Sequence, residues 1–198
     1  MDTWVTARAA DSVLLVQLHS PDDYPRLTRG VLRELSEQFS ALDRRGDIRG
    51  AVLTGSDTAF AAGADLEEVS ALDALEARRF SELGQGLMRQ IENSHKPVVG
   101  AIRGYCLGGG FDLAMACHIR IATSDAMFGH PGGSLGLVTG WGGTARLPRI
   151  VGRGRALELL TSGRTISAEE AYAWRLVNRI VEQEELLEAA CAAARRRV

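Results

Sequence analysis

Gly104-Tyr105-Cys106-Leu107-Gly108-Gly109-Gly110-Phe111-Asp112-Leu113-Ala114 joins an apolar run to three consecutive glycines and then to a second apolar segment. Upstream, Pro97-Val98-Val99-Gly100-Ala101-Ile102 reads as a strand that feeds the turn, and Phe111 to Cys117 read as a helix that leaves it. Glycines between a strand and a helix let backbone N–H groups face a ligand without side chains in the way, and the helix end adds partial positive charge. Such a turn suits an anion or a developing oxyanion; the same glycines would also permit close packing alone. A dinucleotide fingerprint would need glycine at position 113, where the chain has Leu113, and a phosphate loop would need a lysine after the turn, whereas the chain's one lysine is Lys96.

Strands and helices alternate on both sides of this turn. Val13 to Leu18 form a β-branched and leucine run that stops before Pro21, and Ala51-Val52-Leu53-Thr54 is a short buried strand ending at Gly55, with a loop from Gly55 to Asp65. Thr28 caps a helix in which Val31, Leu32, Leu35, Phe39 and Leu42 recur at helical spacing, and a second helical pattern covers about Glu76 to Asn93. Further strand character lies at Ile119-Arg120-Ile121-Ala122, followed by a glycine-rich loop from Gly129 to Gly143 and a helix near Arg155 to Leu160. Ser167 with Glu170 predicts a capping box and a helix to about Leu176, and a final helix from about Glu184 ends in Arg195-Arg196-Arg197, read as a solvated end favoured by the helix dipole. The pattern is α/β.

With 198 residues and 45% hydrophobic content, the chain predicts one domain over 1–198 with a helical C-terminal part from about residue 152. A net charge of −2 gives no electrostatic reason to expect nucleic acid or an anionic membrane as partner. Cys106, Cys117 and Cys191 are widely spaced and outside any metal-binding pattern, so buried free thiols are expected, with no metal site. The absence of a signal-peptide core and of a long apolar run predicts a cytoplasmic protein. Gly132-Gly133-Ser134-Leu135-Gly136 formally matches the elbow of serine hydrolases, but His19, His95, His118 and His130 all precede Ser134, and no helical pattern follows, which argues against that reading.

Several segments together resemble the enoyl-CoA hydratase/isomerase (crotonase) family over nearly the whole chain: Phe60 to Leu66, Lys96-Pro97, Gly104 to Ala114, Phe128-Gly129-His130-Pro131, Gly142 to Leu147, Gly163 to Ala171 and Leu176-Val177-Asn178. The resemblance implies a crotonase-like spiral of repeated β-β-α units, assembled as a homotrimer or dimer of trimers, that binds an acyl-CoA thioester. Coenzyme A is then part of the substrate and no separate cofactor is implied. The N–H groups of Ala64 and Gly109 match the family's oxyanion hole, and Ala61, Ala62, Gly63, Asp65 and Leu66, with Gly108, match the segments that lie along CoA and the acyl group.

The family's hydratases carry two glutamates where this chain has Asp112 and Gly132, and no Asp or Glu occurs from Ala126 to Arg146. His130 occupies the family's usual glutamine position, where it is either a general acid or base titrating near its ordinary pKa or a histidine hydrogen-bonded in the loop. Asp112 is either a weaker base or the holder of a water or backbone group. Thr139 and Trp141 would border the acyl chain, Trp141 as pocket wall or core. The family's C-terminal helical segment, which covers the acyl pocket, would be shorter than usual. Two functions follow as expectations: an acyl-CoA enzyme that stabilises a thioester enolate, or a catalytically impaired homologue that binds acyl-CoA or serves in an assembly.

Overall fold

The computed structural model describes residues 3–196. Strand β1 (Trp4–Ala10) pairs antiparallel with β2 (Val13–His19), and helix α1 (Arg29–Leu42) follows. Thr28 caps that helix, its hydroxyl oxygen accepting the Val31 N–H at 3.2 Å, and the five apolar residues at helical spacing are all buried. Three units of one plan come next: β3 (Gly50–Thr54), β4 (Ala59–Ala61), then α2 (Leu66–Ser70) and α3 (Ala74–Glu92); β5 (Val98–Ile102), β6 (Tyr105–Leu107), then α4 (Gly109–Ala116); β7 (Ile119–Thr123), β8 (Met127–Gly129), then α5 (Gly143–Val151) and α6 (Arg153–Ser162). Strand β9 (Thr165–Ser167), helix α7 (Ala168–Ala173), strand β10 (Arg179–Val181) and helix α8 (Leu186–Ala194) complete the described chain.

Each unit gives its first strand to a six-stranded sheet ordered β1-β2-β3-β5-β7-β10 and its second to a four-stranded sheet ordered β4-β6-β8-β9. From β2 to β10 the larger sheet is parallel, as are β4, β6 and β8 in the smaller one. Both sheets therefore advance by one strand per turn of the chain, which is the spiral of β-β-α units that the resemblance implies.

The inner strands β2, β3, β5 and β7 of the larger sheet are buried almost throughout, which explains why they read as continuous apolar runs rather than alternating ones. Leu14, Val16 and Leu18 of β2 join the main core, while Val13 and Leu15 point to the opposite face and meet Val52, Val99, Ile121 and the Leu186, Ala190 and Ala194 face of α8. Phe60, Phe111 and Phe128, all fully buried, bring the smaller sheet and α4 into the main core.

The structure corrects several local expectations. Ala59–Ala61 is a strand inside the stretch read as a loop, Met127–Gly129 is a strand at the edge of the glycine-rich segment, and β1, β9, β10, α2 and α5 carried no sequence expectation. Ser167 does cap α7, but the Glu170 carboxylate turns to Arg164 at 2.7 Å and the helix ends at Ala173; the reciprocal box is Asp73 with Glu76 on α3. The last helix starts at Leu186 after a 3-10 turn at Gln183–Glu185. Of the arginine triplet, Arg195 reaches the Asp11 carboxylate at 3.4 Å and Arg197 lies outside the described residues. Cys106 and Cys117 are buried free thiols and Cys191 is half-buried. Among the described residues no helix is long and apolar enough to cross a membrane.

Helix α4 approaches β4 closely at Gly110. A Cβ there would stand 2.7 Å from the Ala61 Cβ and overlap the Ala61 carbonyl, a backbone group that cannot swing away. Gly110→Ala should accordingly cost more than about 2 kcal/mol by overpacking. Thermal denaturation should show its midpoint falling by several degrees; an unchanged midpoint would mean that the helix is free to lift from the strand.

Candidate active site

The turns that follow β4 and β6 meet. Gly63 (φ 102°) and Gly108 (φ 51°) both use left-handed backbone that favours glycine, and a Cβ on Gly108 would lie only 3.6 Å from the Gly63 Cα. Neighbouring backbone holds the turns in place: the Ala62 N–H donates to the Pro25 carbonyl and the Leu27 N–H to that of Gly63, both from the segment before α1, and the Gly108 N–H to that of Gly129 in β8, each at 2.8 Å. Gly109 is the first residue of α4, so its N–H has no partner within the helix. Among the described residues, neither it nor the Ala64 N–H donates to a carbonyl of the surrounding turns.

These turns border a cavity of about 450 Å³. Of the candidate site residues singled out from sequence, Ala62, Gly63, Ala64, Leu66, Gly108, Gly109, Asp112, His130, Gly132, Thr139 and Trp141 line it. Ala61 and Asp65 stand elsewhere: Ala61 is buried in β4 beneath Gly110, and Asp65 caps α2 by accepting the Glu68 N–H at 2.9 Å. The remaining wall is mainly apolar, from Val69 and Leu72 in and after α2, Ala77 and Phe80 on α3, and Leu135, Leu137 and Val138 before α5, with Ser81 and Ser134 as polar members. Apolar residues on or beside a helix read as core, so Val69, Leu72, Ala77 and Phe80 carry no sequence signal that they face a ligand space. Ser134 spends its hydroxyl on the Pro131 carbonyl at 2.8 Å within a 3-10 turn, Pro131–Leu135, which removes the hydrolase elbow.

Among the residues that line the cavity, Asp112 and His130 are the two with ionisable side chains. Both are almost fully buried, and the His130 Nε2 lies 3.3 Å from the Asp112 Oδ1. The other carboxylate oxygen accepts the Thr139 hydroxyl, and the backbone N–H groups of Trp141 and Gly143 also point to the carboxylate. Any Cβ at Gly143 would collide with the Asp112 carboxylate and come within 2.8 Å of the His130 Nε2, so glycine alone lets α5 start here.

Burial raises Asp112 to about 7, against the opposing pull of the Thr139 hydroxyl, the two backbone donors and Arg146. Burial also lowers His130 to about 4, so the expected titration of an unperturbed imidazole near 6.5 does not occur. Between these values the Asp112 carboxyl keeps its proton and His130 is neutral, so neither carries a charge, and Asp112 loses its proton near neutral pH; the facing Asp112 Oδ1 and His130 Nε2 are both buried without a hydrogen-bond partner among the described residues. Gly132, across the loop, has no left-handed backbone, and a Cβ there would meet only Leu137, at 3.4 Å. A larger residue therefore fits at position 132, whereas lengthening Asp112 would crowd Thr139, Gly143 and His130.

The family model described as enoyl-CoA hydratase/isomerase matches residues 8–198. A crotonyl-CoA hydratase of Syntrophomonas wolfei is 42% identical over 178 residues, which cover 89% of this chain and 68% of that protein. A short-chain-enoyl-CoA hydratase of Clostridium acetobutylicum is 38% identical over 179 residues, covering 90% and 69%. The crystal structure of an enoyl-CoA hydratase from Bacillus anthracis superimposes with a TM-score of 0.91 at 35% identity, over 96% of this chain and 74% of that one. Spiral topology, touching glycine turns and sequence likeness over almost all of its length agree: the chain belongs to the enoyl-CoA hydratase/isomerase family.

Proposed function

We propose that this protein is an acyl-CoA enzyme that holds a thioester carbonyl between the N–H groups of Ala64 and Gly109 and stabilises the enolate formed there, its reaction being hydration or double-bond isomerisation of an enoyl-CoA. One observation carries the reading: two unpaired N–H groups, from two turns in contact, border the same cavity as the Asp112–His130 pair. Family membership and the hydratase relatives support it. Assembly as a homotrimer or dimer of trimers, a cytoplasmic location and the use of CoA only as part of the substrate belong to the same reading.

Addition of water to an α,β-unsaturated thioester moves an electron pair from the double bond onto the carbonyl oxygen as the new C–O bond forms at Cβ. Two fixed donors at that oxygen lower the barrier, each worth roughly 2.7–4 kcal/mol in comparable sites. The enolate then takes a proton at Cα as the carbonyl reforms. A pair that holds a single proton and exchanges it near neutral pH can remove one from water and return one to carbon, which is how Asp112 and His130 replace the family's two glutamates in this reading. The Asp112 carboxylate is nevertheless held by Thr139 and two backbone donors, and this favours a second reading, a protein that binds acyl-CoA without turning it over.

Replacing Gly109 would not isolate its N–H, because any Cβ there overlaps the Trp141 indole. A direct test is acetoacetyl-CoA, whose enolate absorbs in the ultraviolet: the protein should raise its enolate fraction at fixed pH. Tight binding without enolate gain would leave the two N–H groups without the proposed role.

The rate should rise with pH through about 7 and level off above it, as the pair loses its proton and becomes the base. Asp112→Asn should flatten that profile and lower turnover of crotonyl-CoA by about 10²–10⁴-fold. Wild-type turnover with a flat profile, or an Asp112→Asn variant at full rate, would favour a different base; binding without turnover would favour the second reading.

Stability offers an independent check. Folded Asp112 keeps its proton to about pH 7, whereas the unfolded chain releases it near 4, so this group makes stability fall as pH rises across that window. His130, lowered from 6.5 to about 4, makes stability rise between those values, and the two effects oppose each other. Thermal melts of His130→Gln should expose the Asp112 half alone, with a midpoint that drops relative to wild type as pH goes from about 4 to about 7. A His130→Gln midpoint that does not itself fall over that range would show that the carboxyl is not raised, and a constant difference from wild type would show that the imidazole is not lowered.

A further inference from the structure

A second cavity, of about 200 Å³, lies behind the first and is polar, with Gln85, Arg89, Glu92, Arg146 and Arg149 in its wall. Among the described residues, Trp141 is the one that borders both cavities. Its side chain is almost fully buried and clamped: the Phe80 ring meets it edge-on at 5.2 Å, and Gly84 of α3 and Gly109 of α4 lie so close that a Cβ on either would overlap the indole. From the polar side, Arg146 donates to the Trp141 carbonyl at 3.0 Å and is itself held by the Glu92 carboxylate at 2.7 Å. Both the ring and its backbone are thus fixed as a partition.

The contact with Gly109 sets where the partition stands. A thioester oxygen bound at the Gly109 N–H places the first carbons of the acyl chain beside the indole. A chain turned inward buries its methylenes, which favours binding, but it runs into the ring. A chain turned outward passes Val138, which is 79% exposed, and leaves carbon in water.

We propose that Trp141 is a specificity-determining residue that closes the acyl cavity and restricts the enzyme to short-chain enoyl thioesters, and that its removal joins the two cavities. The inference rests on the reading of the larger cavity as the acyl-CoA site. Its test compares kcat/KM for crotonyl-CoA and trans-decenoyl-CoA in wild type, Trp141→Phe and Trp141→Ala, with dissociation constants of butyryl-CoA and decanoyl-CoA measured by calorimetry on the same proteins. Wild type should prefer the short substrate. Trp141→Ala should shift the decenoyl-to-crotonyl ratio upward at least tenfold and tighten decanoyl-CoA binding, with Trp141→Phe shifting both in the same direction by less. Equal use of both substrates by wild type, or an unchanged ratio in the variants, would overturn the inference while leaving the functional reading intact. If the alanine variant fails to fold, an unchanged ratio in a folded Trp141→Phe is sufficient to overturn it. Wild type that binds neither saturated thioester would overturn the functional reading and this inference with it.

Discussion

The first turn of helix α4 rests on strand β4 with no side chain between them, because residue 110 is glycine and the Ala61 backbone lies where a Cβ would be. Strand β4 belongs to one β-β-α unit and α4 to the next, so this contact fixes the pitch between successive turns of the spiral. It also brings the turn after β4 against the turn after β6, and the N–H groups of Ala64 and Gly109 come to border one cavity. Asp112, one helical turn into α4, is carried to the same cavity by the same helix.

Burial then decides the electrostatics. A carboxyl and an imidazole placed side by side in water would form an ion pair near neutral pH, since aspartate titrates near 3.9 and histidine near 6.5. Here desolvation disfavours both charges, raising one group and lowering the other until the order of their pKa values is reversed. The site therefore holds a neutral carboxyl beside a neutral imidazole in place of two ionised groups. Glycine at position 143 is what permits the packing, since any side chain there would push into the pair.

The sequence was most legible where function constrains backbone. The strand Val98–Ile102 and the helix after the glycine turn were legible because the glycines are punctuation between apolar runs, though the short strand β6 between them was not, and α1 read correctly from its cap and its apolar stripe. The three-residue strands Ala59–Ala61 and Met127–Gly129 were illegible, since they show no period and exist only through pairing with β6, which is distant in sequence. Within the site, eleven of the candidate residues lie on the cavity, yet the displaced ionisation of His130 could not be anticipated, because it depends on depth of burial rather than on residue type. Trp141 was visible as a wall but not as a partition, since the polar cavity behind it is assembled from α3 and α5, whose approach no local pattern records.

The central claim is that the two turns receive the thioester oxygen. A crystal structure of the protein with butyryl-CoA, whose saturated chain cannot be hydrated, tests it most directly. The account predicts a carbonyl oxygen about 2.7–3.1 Å from both the Ala64 and the Gly109 nitrogen, with the acyl chain ending against Trp141. A thioester bound with its oxygen turned away from those two N–H groups, or bound outside this cavity, would contradict it.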